Sequence, residues 1–312
     1  MFHEKYGTIK YLRLLFVLLL CCGWASPAGA QRVYIDIDKA IFARIPIAIP
    51  DLKRETSAEG QLAHEMSDTL GKDLDYSGLF RVLDPAGFMG DPQTMGVAQG
   101  EIDFGSWKRL GSEFLVRGSY VIQGSNIQLN MYLYDVVGNR QVLGKAYTGQ
   151  IRDWKSMIHR FADEIIMALT GERGVFGTKI AFVQVQGQNK EIYMVDFDGS
   201  NPVQVTHENS ISLSPSWSRD GGLLAYTCFK EDGPKLFVKN VFDGSQRMLS
   251  GFPGLNITPA WRPGGSELAA TLSKDGNPNI YLVSSSGAVI SKLVDSWSID
   301  VSPTWSPDGR QL

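Results

Sequence analysis

Apolar and polar positions in the second half of the chain repeat at a step of 44 residues. Pro215-Ser216-Trp217-Ser218-Arg219-Asp220-Gly221 returns as Pro259-Ala260-Trp261-Arg262-Pro263-Gly264-Gly265, and again as Pro303-Thr304-Trp305-Ser306-Pro307-Asp308-Gly309. In the same phase come the apolar triplets Ile180-Ala181-Phe182, Leu224-Ala225-Tyr226 and Leu268-Ala269-Ala270. Asp198-Gly199, Asp243-Gly244 and Ser286-Gly287 mark a turn between two apolar runs in each unit. A period near 44 carrying several short strands predicts the blades of a β-propeller.

One unit can be read through. Asp220-Gly221 suits a tight hairpin, because glycine reaches positive φ without a Cβ clash. Leu223 to Phe229 is then a strand, turned by Glu231-Asp232-Gly233-Pro234 into a second strand from Leu236 to Val241. Asp243-Gly244-Ser245 turns again, and Arg247 to Leu249 reaches the blade's edge. Such a sheet cannot bury both faces alone, so Trp217, Trp261 and Trp305 are predicted to pack between neighbouring blades. The last unit reaches only its Pro-x-Trp segment, and three full units do not close a ring. Further blades are therefore expected after Leu312, and an open stack is expected to expose a raw apolar face.

The first half has other periods. Arg32-Val33-Tyr34-Ile35-Asp36-Ile37-Asp38 alternates strictly, with Val33, Ile35 and Ile37 on one face. Ile45 to Pro50 is a second extended piece, whose prolines suit an edge or a strand end. Thr56 to Leu74 is predicted as a helix with Leu62, Met66, Thr69 and Leu70 inward. Phe80 to Leu83 is a short strand, residues 87–100 a glycine-rich loop, and a short helix then carries Trp107 and Leu110. Three successive strands are predicted at Phe114 to Ile122, Ile127 to Val136 and Val142 to Thr148. The closing helix, Asp153 to Leu169, sets Trp154, Ile158, Phe161, Ile165 and Leu169 at helical spacing, and Gly171 caps it. The division is thus 1–30 as a leader, 31–172 as an α+β domain and 173–312 as all-β propeller repeats.

Residues 1–30 read as a secretory signal peptide: Lys5, Lys10 and Arg13 precede an apolar run, and Ala28-Gly29-Ala30 is a small-residue cleavage site. The run is too short for a comfortable membrane span. Cys21 and Cys22 fall in the leader, which leaves Cys228 alone, as a buried inert thiol in an apolar strand. With 312 residues, 20% of them charged, and a net charge of -3, nothing points to nucleic acid.

Catalytic signatures are absent from the sequence. No serine has glycine at both minus two and plus two. His64, His159 and His207 have no ligand spacing, and His64 and His159 read as ordinary surface or satisfied histidines on helices. The Asp-Gly pairs read as turns rather than calcium loops. No cofactor or metal is expected, which favours a binding protein.

The N-terminal domain also carries a more specific pattern. It combines the Arg32 to Asp38 strand, Trp107 followed by Gly111, and Tyr132-Leu133-Tyr134-Asp135 with a run of matches at its end. That run holds Trp154, His159, Ala162-Asp163, Leu169-Thr170-Gly171, Gly174, Phe176, Thr178 and Ile180-Ala181-Phe182-Val183, with the Pro-x-Trp blades after it. On these residues the chain closely resembles the TolB family, the periplasmic component of the Tol-Pal system.

The resemblance implies a six-bladed propeller behind an α/β domain, and a non-catalytic adaptor peripheral to the envelope, in the periplasm. Such an adaptor would support outer-membrane integrity and constriction at cell division. The implied partners are the Pal lipoprotein at the propeller mouth and the TolA C-terminal domain at the N-terminus, with colicins exploiting the mouth in some bacteria.

For TolA the candidates are Arg32, Val33, Tyr34, Ile35, Asp36, Ile37 and Asp38, a strand able either to add to a partner's sheet edge or to pair within its own domain. For Pal they lie in the loops before each Pro-x-Trp: Ser212 and Leu213; Leu255, Asn256 and Thr258; Asp300, Val301 and Ser302. Leu255 stands where the family presents a histidine. The alternative reading is a secreted propeller-bearing hydrolase, a peptidase with its catalytic domain beyond Leu312; a solute-binding propeller is a third.

Overall fold

The computed structural model describes residues 44–55 and 60–312. The leader with Cys21 and Cys22, and the alternating segment 32–38, lie outside the described residues, as does the predicted start of the first helix.

The N-terminal domain is a sheet with helices on one face and a long loop on the other. Its elements run β1 (Ile45–Ala48), β2 (Lys53–Arg54), α1 (Gly60–Tyr76), β3 (Phe80–Val82), α2 (Phe104–Arg109), β4 (Phe114–Gln123), β5 (Asn126–Asp135), β6 (Arg140–Gln150) and α3 (Trp154–Thr170). The order across the sheet is β3-β1-β4-β5-β6, with β2 on β4. The alternation of the strands divides the core in two. Ile47, Phe114, Val116, Leu129 and Met131 face α1 and α3, while Ala48, Leu115, Tyr134 and Val136 face Trp107 and the 83–110 segment.

Of the two places expected for the prolines, the strand end is the one found: β1 is an interior strand, parallel to both β3 and β4, with Pro46 beside its first residue and Pro50 beyond its last. Pro46 is tolerated because its carbonyl accepts from Glu113 N–H at 2.9 Å, while its missing N–H falls on the side where β4 has not yet begun. One expectation is corrected: the inward stripe of α1 is Ala63, Met66, Leu70 and Leu74, with Leu62 and Thr69 only half-buried. α3 follows its prediction: Ile158, Phe161, Ile165 and Leu169 are fully buried, and Gly171 caps it at φ 80 with its N–H on the Met167 carbonyl.

The loop face is organised by Arg117, which is 1% exposed. It donates to the carbonyls of Gly96, Asp51, Pro92 and Met95 at 2.9–3.3 Å. Burial lowers this guanidinium to about 10, yet it stays charged at neutral pH and ties the 92–96 segment to the sheet.

The repeats form blades in the predicted phase. The first holds β7 (Lys179–Gln186), β8 (Asn189–Asp196) and β9 (Val203–Gln204). The second holds β10 (Ile211–Trp217), β11 (Leu223–Lys230), β12 (Gly233–Asn240) and β13 (Gln246–Ser250). The third holds β14 (Asn256–Trp261), β15 (Glu267–Leu272), β16 (Asn279–Ser284) and β17 (Val289–Val294). Strands pair antiparallel within each blade, and a short parallel contact between β10 and β8 joins the first two sheets.

The tryptophans pack between blades. Trp217 joins Ile192 and Met194 of the first blade to Leu224 and Tyr226 of the second. Trp261, 7% exposed, lies among Leu236 and Val238 of the second blade and Leu268 and Tyr281 of the third. Trp305 donates its indole N–H to the Ala260 carbonyl at 3.0 Å, with the Arg262 guanidinium 5.2 Å from its ring. Cys228 is fully buried, and burial pushes its thiol up.

The domains meet through a polar clamp. Asp163 of α3 accepts from Phe176 N–H and Gly177 N–H at 2.8 and 2.9 Å. A Cβ on Gly174 would stand 2.7 Å from the Asp163 Cα, so only glycine lets the linker approach so closely. Phe176 then meets Phe197 of the first blade edge-on, with centroids 5.4 Å apart.

Candidate protein-docking site

The three loops proposed from sequence end in one repeated backbone feature. Ser214, Thr258 and Ser302, 44 residues apart, have φ of 54, 51 and 57, each just before the Pro-x-Trp proline. Left-handed backbone at a non-glycine residue costs roughly 1–2 kcal/mol, and such strain persists only where surroundings over-determine it. In β10 and β14 the position falls within a β-bulge, between Leu213 and Ser216 and between Ile257 and Ala260. A bulge re-aims the strand and leaves a residue outside the ladder.

Threonines of the preceding blade hold two of the three left-handed residues. Thr258 N–H donates to Thr227 Oγ1 at 3.1 Å, and Ser302 N–H to Thr271 Oγ1 at 3.3 Å. The hydroxyls of Thr258 and Thr271 are 2.9 Å apart. Thr227 also pairs with Leu213 in the β10–β11 register. A continuous line thus runs from Leu213 through Thr227, Thr258 and Thr271 to Ser302, and it brings the three loops together. One blade earlier the corresponding position is Val183, so Ser214 lacks that threonine.

The candidate residues divide by exposure. Val301 is 46% exposed, and Ser302 is also exposed; Leu213, Leu255, Thr258 and Asp300 are half-buried. Ser212 and Asn256 are fully buried, which removes their side chains from any contact surface. Asn256 instead shapes its loop: its amide donates to the carbonyls of Phe252, Gly254 and Pro234, and its oxygen accepts from Phe252 N–H and Ser250 Oγ. Leu255 N–H donates to Ser273 Oγ at 2.7 Å, and Asp300 accepts from Ser296 Oγ at 2.8 Å. Ser214, exposed and strained, belongs with the set although it is not among the loop candidates; the 44-residue step maps it onto Thr258 and Ser302. The TolA candidates 32–38 lie outside the described residues.

Among the described residues no group of three or more His, Cys, Asp or Glu side chains is placed to hold a metal ion. No helix among them is long and apolar enough to cross a membrane.

An α/β domain followed by Pro-x-Trp blades defines a two-domain propeller protein, and comparison with known proteins agrees domain by domain. The TolB amino-terminal domain family matches residues 33–142, and the TolB beta propeller domain family matches residues 166–312. The chain belongs to the TolB family. Its relatives include the Tol-Pal system protein TolB of Desulfosudis oleivorans, 39% identical over 244 residues, which are 78% of this chain and 55% of the relative. Another is the TolB homolog of Chlorobaculum tepidum, 36% identical over 216 residues, which are 68% of this chain and 48% of the relative. The crystal structure of TolB from Acinetobacter baumannii superposes with a TM-score of 0.72 at 25% identity, over 89% of this chain and 67% of that one. The chain spans about half the length of the curated relatives it matches.

Proposed function

We propose that this chain belongs to a non-enzymatic adaptor of the Tol-Pal system that works in the periplasm. The propeller rim docks the Pal lipoprotein, and the segment 32–38 engages the TolA C-terminal domain. In this role the protein supports outer-membrane integrity and constriction during division.

The observation that carries the reading is the order of two TolB-family domains on one chain, each over its own residue range. The rim adds a physical rationale. Leu213, Thr258, Val301 and Ser302 present a mixed apolar and hydroxyl surface on backbone fixed by inter-blade hydrogen bonds. A fixed surface loses little conformational entropy on binding, which is what a docking face needs.

Co-purification of the full-length protein from the envelope tests the reading. Pal and TolA are expected in the eluate, and deleting residues 32–38 is expected to abolish TolA capture while leaving Pal. Absence of both partners from the intact protein's eluate, or hydrolase machinery encoded after Leu312, would replace this reading with the enzymatic one.

A further inference from the structure

The boundary between the two domains buries an imidazole between carboxylates contributed by each. His159 of α3 is 3% exposed, and its Nδ1 lies 2.7 Å from Oδ2 of Asp73, a residue of α1 that is 1% exposed. Its Nε2 is buried without a hydrogen-bond partner and points across the domain boundary, 4.0 Å from Oδ2 of Asp198 in the β8–β9 turn of the first blade. The sequence offered no hint of this, since the three residues are spread over 126 positions and share no motif.

Other charges face the group from every side. Lys72 stands beside Asp73 on α1, where Asp68 holds it. On α3 itself Lys155 reaches Asp198 at 3.5 Å, and Asp163 is committed to the linker N–H groups. From the blade, Asp196 is held by Lys179. None of these bonds Nε2; the acid it faces is Asp198, whose Oδ1 accepts from Ser200 N–H and whose Oδ2, shared with Lys155, lies nearest the imidazole.

Chemistry decides what that gap does. A neutral imidazole donating from Nδ1 to Asp73 turns a bare lone pair at Nε2 toward a carboxylate, an unsatisfied and repulsive arrangement. A protonated imidazole has a donor on each nitrogen and serves both acids. Closing 4.0 Å to an ordinary N–H···O distance takes a movement of about 1 Å, well within a small rotation of one domain on another.

We propose that His159 is a proton-operated pin between the N-terminal domain and the propeller. With Nε2 protonated it draws Asp198, and with it the first blade, onto α1 and α3; with Nε2 bare that contact opens, and the blade is held more loosely by Lys155, the Asp163 clamp and the Phe176–Phe197 pair. The hydrogen bond that His159 donates to Asp73, opposed by burial and reinforced by the charges of Asp73 and Asp198, holds His159 above its ordinary value of 6.5. The pinned arrangement is therefore fully favoured below that ordinary value and lost as pH rises through the raised one. This inference stands apart from the docking reading, since it concerns the domain boundary and requires no partner.

The test is an interdomain distance measured against pH in the full-length protein. Spin labels are placed at Ser125→Cys, on the exposed β4–β5 turn, and at Ser286→Cys, on the exposed turn of the third blade; Cys228 is buried and stays unlabelled. The His159 Cε1 resonance is followed in parallel from about pH 5 to 9. The expected result is a His159 midpoint above 6.5 and a distance distribution that broadens with the same midpoint. Asp198→Asn, at a side chain 21% exposed, is expected to lower the midpoint by about half a pH unit or more and to give the broadened distribution already at low pH. His159→Gln is expected to give one pH-independent distribution. The proposal is overturned if His159 titrates while the distances stay fixed, if it holds one protonation state over the whole range, or if Asp198→Asn behaves as the parent.

Discussion

The main-chain N–H of Thr258 donates to the hydroxyl of Thr227 across the boundary between two blades, at 3.1 Å. Ser302 and Thr271 repeat the relation one blade later at 3.3 Å. In each case a strained left-handed residue is held by the blade before it. The rim therefore takes its shape from contacts between blades as well as from its own loop sequence.

Thr227 and Thr271 are buried, so replacing either by valine keeps the shape and removes the acceptor. Thr227→Val leaves the Thr258 N–H unpaired and is expected to cost about 1–3 kcal/mol. Thr271→Val touches both Thr258 and Ser302 and is expected to cost at least as much. Thr227→Ser keeps the hydroxyl and should fall well below both. Urea denaturation of the three variants checks the order.

Ser214 has the same strain without the threonine, and its side chain is exposed. Glycine removes the Cβ clash at φ 54, so Ser214→Gly is expected to stabilise by roughly 0.5–1 kcal/mol. Thr258→Gly loses a hydroxyl contact as well and should gain less. Thermal melts of the two variants side by side would show it.

Trp261 is 7% exposed between two blades and Trp297 is 100% exposed. Trp261→Ala should cost about 3–5 kcal/mol and loosen the second and third blades together. Trp297→Ala should stay within about 0.5 kcal/mol. Equal effects in denaturant would contradict the inter-blade role of the repeated tryptophan.

Glu208 gives the fold an acid-sensitive contact. Burial pushes its carboxyl up, but bonds from Lys230, Gln246 and Tyr226 outweigh this and hold it below its ordinary value of 4.5. A carboxyl depressed in the folded state contributes stability that is present above the ordinary value and lost as pH falls through the lowered one. Glu208→Gln is therefore expected to flatten the acid limb of the stability–pH profile while lowering stability at neutral pH. Denaturation midpoints across the acid range provide the check.

Elements with a strong period were legible in the sequence, while those built by distant partners were not. The step between Trp217, Trp261 and Trp305 gave both the blades and their packing, because each blade repeats one local pattern. Ile158, Phe161, Ile165 and Leu169 marked the buried face of α3 for the same reason. Edge and strand end stayed open for Pro46 because its tolerance depends on where β4 starts, 68 residues away. Nothing in the sequence singles out Arg117, because the carbonyls that fold over it come from the distant 92–96 segment. Ser212 and Asn256 look like loop contacts, yet burial assigns them to holding the loops. The left-handed bulges were invisible because serine and threonine before proline do not announce positive φ.

The most direct measurement is the affinity of the full-length protein for the soluble domain of Pal, by titration calorimetry. Ser302→Arg combined with Val301→Arg places two charges on exposed rim positions and leaves Thr227, Thr258, Thr271 and the tryptophans in place. Saturable binding is expected for the parent, about tenfold or more weaker binding for the variant, and the same melting temperature for both. Equal affinity in the two proteins, or no binding by the parent, would contradict docking at the rim.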